Sequence, residues 1–237
     1  MNELQRTLSE MVKSGLQSNP ATNTIINDFA KYHFIIVILG ACMVLIFALL
    51  SKIFWTKFKR IAKTHKLKWG FEKKVYFYFG TLNTLWALLM TLLVYANLTN
   101  ALNPVHGFSM VVETYITLKR TNMDKLHQTF NQWINSGNET IPSILQEQLN
   151  AGVKFHTTKA MVCGILLTIF VVLSIILWTR LIKRTKVNDS KWGFKEKAYF
   201  VFGIATVNLS LLMIVMIMAN MQGALAPLNA FLSGFLV

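Results

Sequence analysis

Four stretches of the chain are long, apolar and almost free of charged residues. They cover about 34–55, 75–102, 160–179 and 198–225. A helix needs about 20 mostly apolar residues to cross a hydrocarbon layer roughly 30 Å thick, and backbone groups in lipid must be hydrogen-bonded within their own segment. The pattern therefore predicts an all-α, polytopic membrane protein with four transmembrane helices.

The polar and aromatic positions recur along the chain. A shift of 123 residues places Lys68-Trp69-Gly70-Phe71 on Lys191-Trp192-Gly193-Phe194, and a shift of 122 places Ser14-Gly15 on Ser136-Gly137. Because rare residues coincide in the polar loops as well as in the apolar runs, similarity between two apolar helices does not explain the match. We expect two tandem two-helix repeats in parallel topology, with repeat 1 over 1–107, a connector over 108–122 and repeat 2 over 123–237.

Short amphipathic helices are predicted outside the spans. Each repeat carries apolar residues at helical spacing, followed by Ser-Gly and a proline that suit a helix end. These residues are Leu4, Leu8, Met11, Val12 and Leu16 in repeat 1, and Leu126, Phe130, Trp133 and Ile134 in repeat 2. Such helices pack on their own bundle, lie in the membrane interface or bind a partner helix, and packing within the chain is our leading interpretation.

Two further apolar patterns flank the spans. A stripe of Ile144, Leu145, Leu149 and Val153 leads into the third span. The apolar segments after Pro104 and Pro227 are expected to form short pieces that are partly buried or re-entrant.

The distribution of charge predicts the orientation. Charged residues make up only 14% of the chain, and 16 of the 24 Lys and Arg residues lie in the two loops that join the spans of each repeat. Lys and Arg concentrate in short cytoplasmic loops. Both basic hairpins are therefore predicted to be cytoplasmic, and both termini extracytoplasmic, in a plasma membrane. The net charge of +14 is interpreted as this topology signal, with no nucleic-acid partner.

Several side chains are candidates for contact with lipid. The predicted interface anchors are His33, His156, Trp55, Trp69, Trp178 and Trp192. The candidate contacts with anionic lipid at the cytoplasmic face are Lys57, Lys59, Arg60, Lys63, Arg180, Lys183 and Arg184, each contributing about 1 kcal/mol near an anionic surface. A solvated loop is the simpler alternative. Gly70 and Gly193 are expected to permit a tight turn at the membrane surface.

The sequence offers little for catalysis. Ionisable residues at membrane depth mark proton relays and ion pathways, and the four predicted spans hold none in their interior. Two histidines without carboxylate or cysteine partners make a poor zinc site, and Cys42 and Cys163 are expected to be small apolar residues in packed helices. We therefore predict no catalytic residue, no metal and no cofactor.

Polar residues within or near spans two and four remain. They are Asn83, Asn97, Thr206, Asn208 and Asn220. Hydrogen bonds between helices are the simplest role for them, and a polar path for a substrate is the alternative.

Three classes of function follow. The leading hypothesis is a non-catalytic bacterial plasma-membrane protein that contacts another membrane component through its helices, as an accessory subunit or an immunity or protective factor. Its partner is a membrane protein or a second copy of the chain. The alternative is a small channel or transporter with a polar path near a pseudo-twofold axis. A membrane enzyme acting on lipid is the least favoured.

Overall fold

The computed structural model describes residues 19–64, 70–116, 125–187 and 193–236, without the side chains of 63–64, 112–116, 125, 127, 186–187 and 234–236. Over these ranges the chain is entirely α-helical in its regular structure, as predicted. The seven helices are α1 Pro20–Thr64, α2 Phe71–Leu102, α3 Pro104–Ile116, α4 Lys125–Ser136, α5 Ser143–Val187, α6 Phe194–Leu225 and α7 Pro227–Leu236. The amphipathic helix predicted around Leu4–Leu16 lies outside the described residues.

Four of these helices are long and apolar enough to cross a membrane: α1, α2, α5 and α6. The prediction of a multi-pass membrane protein is confirmed to that extent. α1 and α5 have 45 residues each, which corresponds to roughly 68 Å and exceeds a hydrocarbon layer of about 30 Å. The spans predicted at 34–55 and 160–179 are therefore the apolar parts of longer helices. The stripe from Ile144 to Val153 forms the start of α5.

The helix bounds recur at a constant offset. α1 and α5 have equal lengths, and α2 and α6 both have 32 residues. The first residues of α1 and α5, of α2 and α6, and of α3 and α7 are each 123 residues apart. This offset is the shift that aligns the two halves of the sequence.

Local signals explain where α1 begins and α4 ends. Asn19 precedes Pro20, and its Oδ1 accepts a hydrogen bond from the N–H of Ala21 at 2.9 Å, so an N-cap is followed by a proline that lacks a backbone donor. Gly137 follows α4 with a φ of 68°, a left-handed conformation that glycine adopts without steric cost. The Nδ2 of Asn19 also donates to the carbonyl of Ile134, which ties these two helix ends together.

The chain divides into two compact units. The first comprises the described residues within Met1–Cys42, Met90–Thr157 and Met221–Val237, and the second comprises those within Met43–Leu89 and Thr158–Asn220. The buried core of the first unit consists of Ala21, Ile25, Ile26, Phe29, Phe108, Phe130, Trp133, Ile134, Leu145, Leu149, Leu228 and Leu232. α4 therefore packs against its own chain, and the segments after Pro104 and Pro227 are helices with buried residues.

Aromatic contacts dominate the second unit. Phe54 stacks on Phe79 at 5.4 Å between ring centroids, and Phe79 lies 5.2 Å from Trp178. Phe47 pairs with Trp86 at 6.1 Å. Large rings bury much apolar area and prefer such offset or tilted arrangements, so these pairs hold α1, α2 and α5 together within the unit.

Candidate functional site

A tryptophan lies against a glycine at two places that are related by the 123-residue offset. A Cβ added to Gly80 would lie 3.1 Å from the Trp55 ring, and one added to Gly203 would lie 3.0 Å from the Trp178 ring. The aromatic neighbours also correspond, with 5.8 Å between ring centroids in both pairs, Trp55–Phe77 and Trp178–Phe200. At either position a side chain would force the indole to move by a few tenths of an ångström, so the close approach of helix and indole favours glycine.

The hydrogen bonds around these two tryptophans differ. The Nε1–H of Trp55 donates to Thr84 Oγ1 at 3.1 Å, and that hydroxyl also shares a hydrogen bond of 2.7 Å with Ser51. The equivalent of Thr84 in repeat 2 is Val207, which offers no acceptor. The buried Nε1–H of Trp178 is without a hydrogen-bond partner. A buried, unmade hydrogen bond costs about 1–3 kcal/mol, so Trp178 lacks a stabilising contact that Trp55 makes.

The polar residues of the predicted path bond to their own helices. Their side chains donate to backbone carbonyls three or four residues earlier: Asn83 to Phe79 at 2.7 Å, Asn97 to Leu93 at 2.8 Å, Thr206 to Gly203 at 2.9 Å, Asn208 to Ile204 at 3.0 Å and Asn220 to Met216 at 2.7 Å. Asn208 Nδ2 is also 3.3 Å from the hydroxyl of Tyr78, which links α6 to α2. These donor groups are thus engaged within the protein.

His33 forms a specific contact with Asn97. Its Nδ1 shares a hydrogen bond of 2.7 Å with Asn97 Oδ1, and its ring lies 4.4 Å from that of Phe29. His156 is half-buried against Gly223, where an added Cβ would lie 2.7 Å from the His156 Nε2. Both histidines therefore contact neighbouring helices. In the described part of the chain, no group of three or more His, Cys, Asp or Glu side chains could hold a metal ion.

An acidic residue of α1 caps the last helix of the chain. Asp28 Oδ2 accepts a hydrogen bond of 2.8 Å from the backbone N–H of Asn229, in the first turn of α7. Nearby, Gln222 Nε2 donates to the carbonyl of Tyr32 at 2.9 Å. Both contacts join α1 to the C-terminal part of the first unit.

The basic residues of the two hairpins have different surroundings. The Lys57 ammonium lies 5.6 Å from the centre of the Tyr76 ring, within the range of a cation–π contact. Arg184 forms an ion pair of 2.9 Å with Glu196, whose side chain is only 8% exposed. Lys59, Arg60, Arg180 and Lys183 are exposed. Trp69, Trp192 and the side chain of Lys63 lie outside the described residues.

The apolar part of α5 is packed less than the other three predicted spans. In the most apolar 18-residue stretch of α5 only 6% of the residues are buried, against 17–22% in the corresponding stretches of α1, α2 and α6. Ten large apolar side chains between Met161 and Ile176 are exposed. A Cβ added to Gly164 would meet nothing within 4 Å, whereas one added to Gly40 of α1 would lie 2.6 Å from Val94. Gly164 is therefore a small residue of α5 that borders open space.

Two features of these sites involve residues that were not among those predicted from the sequence. Ala160, Gly164 and Thr168 are small residues four apart, a spacing that permits close packing of transmembrane helices, and the sequence does carry this signal. Asp28, by contrast, is separated from its partner by 201 residues, and no local pattern connects them. Gly70 and Gly193, the predicted turn glycines, immediately precede α2 and α6. The loop residues before them lie outside the described ranges.

Comparison with protein-family models, curated proteins and solved structures finds no match for this chain.

Proposed function

We propose that this chain is a non-catalytic, integral plasma-membrane protein that acts by binding a transmembrane helix of another membrane protein through α5. The observation that carries the proposal is the open face of α5. Its most apolar stretch is the least buried of the four, and Gly164 borders open space. Small residues four apart let two helix backbones approach closely in lipid, where van der Waals packing drives association.

Repeat 1 offers a matched comparison for this face. The equivalents of Ala160, Gly164 and Thr168 are Val37, Ala41 and Leu45, so the small-residue spacing is specific to α5. Gly40, the nearby glycine of α1, is packed within the chain. This difference supports a contact made by the third span alone, and an accessory subunit or a protective factor would bind its target in this way.

The finer features of the architecture belong to the same proposal. The recurring helix bounds and the paired contacts of Trp55 with Gly80 and Trp178 with Gly203 support a tandem duplication. The positive charge of the loop between α1 and α2 and of that between α5 and α6 supports their cytoplasmic location, with both chain ends extracytoplasmic. The composition favours a bacterial source.

Copurification from native membranes tests the proposal. The full chain is purified in mild detergent as wild type, as Gly164→Leu and as Ala48→Leu, and bound proteins are identified and quantified by mass spectrometry. Ala48 is an exposed small residue of the first predicted span, so its substitution introduces the same leucine side chain elsewhere. We expect one stoichiometric membrane partner with the wild type and with Ala48→Leu, and at least a tenfold loss with Gly164→Leu.

Two results would contradict this function. One is the absence of any stoichiometric partner in the wild-type sample, and the other is equal loss in both variants. Ion or solute flux in proteoliposomes that is abolished by Asn97→Leu and Asn220→Leu would instead support the channel or transporter. The bonds that those two amides make to their own helices favour a structural role for them.

A further inference from the structure

One side of the end of α1 is strongly basic. Its four exposed basic residues are Lys52, Lys57, Lys59 and Arg60. At 3.6 residues per turn they fall within an arc of roughly 160°. The opposite side packs into the second unit, where the Phe77 ring lies 5.8 Å from Trp55 and 5.5 Å from Phe58. Lys52, Lys59 and Arg60 thus lie on the side of α1 away from these contacts, and Lys57 lies at the edge of that side, 5.6 Å from the centre of the Tyr76 ring.

The same side of α1 is apolar and exposed just before this basic group. The exposed residues are Leu45 at 64%, Ile46 at 48%, Leu49 at 62% and Ile53 at 49%. At 3.6 residues per turn, these four positions fall within the same arc of roughly 160° as the four basic residues. A continuous surface therefore changes from apolar to cationic along the helix axis, as a phospholipid changes from acyl chain to headgroup.

The equivalent surface of α5 has only two of these four cations, the exposed Arg180 and Lys183. Ile175 and Ile182 occupy the positions of Lys52 and Lys59, and they are 61% and 43% exposed. Arg184 is already paired with Glu196 at 2.9 Å. The first repeat has lysine, Lys73, at the position of that glutamate. The second hairpin therefore carries fewer cations on this side, and one of its arginines is paired with a carboxylate of the same hairpin.

We propose that Lys52, Lys57, Lys59 and Arg60 bind the headgroup of an anionic phospholipid, with its acyl chains along Leu49 and Ile53, and that repeat 2 has no equivalent site. Clusters of four or more basic residues beside a transmembrane helix bind anionic lipid, with affinity rising roughly fivefold for each residue near the surface. Long basic side chains reach the headgroup while their stems stay in apolar surroundings. This lipid site is independent of the partner helix proposed for α5.

Lipid binding to the full-length chain tests the proposal. The protein is purified in mild detergent, and native mass spectrometry follows titration with phosphatidylglycerol or phosphatidylcholine. The test variant replaces Lys52, Lys57, Lys59 and Arg60 with Gln. The matched control replaces four exposed basic residues of the second hairpin with Gln: Arg180, Lys183, Lys195 and Lys197. A third variant, Lys52→Arg, Lys57→Arg and Lys59→Arg, preserves the charge.

The account predicts a loss of phosphatidylglycerol affinity of at least tenfold in the test variant and less than threefold in the control, with no change in the charge-preserving variant. If the fourfold variant does not fold, Lys57→Gln with Arg60→Gln is compared with its counterpart, Arg180→Gln with Lys183→Gln. Equal losses in the two hairpins, or equal binding of the two lipids by the wild type, would overturn the site. Displacement by equimolar inorganic phosphate or by polyglutamate would identify a different anion and also overturn it.

Discussion

Asp28, near the beginning of α1, accepts a hydrogen bond from the backbone N–H of Asn229, 201 residues later. This bond caps the first turn of α7. In the first repeat, the helix equivalent to α7 is α3, and its cap is local, because Asn103 Oδ1 accepts from the N–H of His106 at 3.4 Å. The counterpart of Asn103 is Ala226, which has no side-chain acceptor. Asp28 of α1 therefore supplies to α7 the cap that Asn103 supplies locally to α3.

Replacement of Asp28 should loosen the C-terminal helix. Asp28→Ala removes the cap, and loss of a helix N-cap costs about 1 kcal/mol. We expect faster amide hydrogen exchange in the first turn of α7 and a lower unfolding midpoint in detergent. Asn27→Ala changes an exposed neighbour and should leave both quantities unchanged. Equal exchange in the two variants would show that the bond contributes nothing.

Equivalent positions beside the two tryptophans should respond in opposite directions. Thr84→Val removes the acceptor of the Trp55 indole and should destabilise the protein by about 1–3 kcal/mol. Val207→Thr supplies the missing acceptor to Trp178 and should raise the unfolding midpoint. Thermal unfolding in detergent measures both. Destabilisation by both changes would mean that the surroundings of Trp178 do not match those of Trp55.

The two glycines beneath the indoles should tolerate no larger side chain. Gly80→Val and Gly203→Val force atoms against rings that already lie at about 3 Å from a built Cβ, and overpacking costs about 1–3 kcal/mol. Gly152→Val is the control, because a Cβ there meets nothing within 4 Å. We expect a lower unfolding midpoint for the first two variants only. Equal midpoints for all three would argue against close packing at these sites.

Apolar runs were sufficient to predict the four long helices, because a segment in lipid has no alternative to internal hydrogen bonding. The apolar run from residue 34 did not predict that α1 begins at Pro20. The helix extends back from that run into the buried core of the first unit. Ala21, Ile25 and Phe29 repeat every four residues and are buried there, and the Asn19-Pro20 cap was also visible in the sequence. Those signals were present but lay outside the apolar run.

Most of the contacts at the candidate sites could not be predicted. The sequence offered Asn83 and Asn208 as polar residues in spans, but it could not show whether each amide bonds to its own helix or to a neighbour. Asn83 donates to its own helix, whereas Asn208 also reaches the hydroxyl of Tyr78. Such choices depend on the rotamer and on the distance between helices, which a hydropathy pattern does not contain.

The location of the two basic hairpins is the central claim, because the roles of both ends of the chain depend on it. Single cysteines are introduced in a Cys42→Ala, Cys163→Ala background at three exposed positions: Lys59→Cys, Lys183→Cys and Glu139→Cys. Intact cells are then treated with a thiol reagent that does not cross membranes. The account predicts labelling of Glu139→Cys in intact cells, and of the two hairpin variants only after permeabilisation. Labelling of Lys59→Cys or Lys183→Cys on intact cells would contradict it.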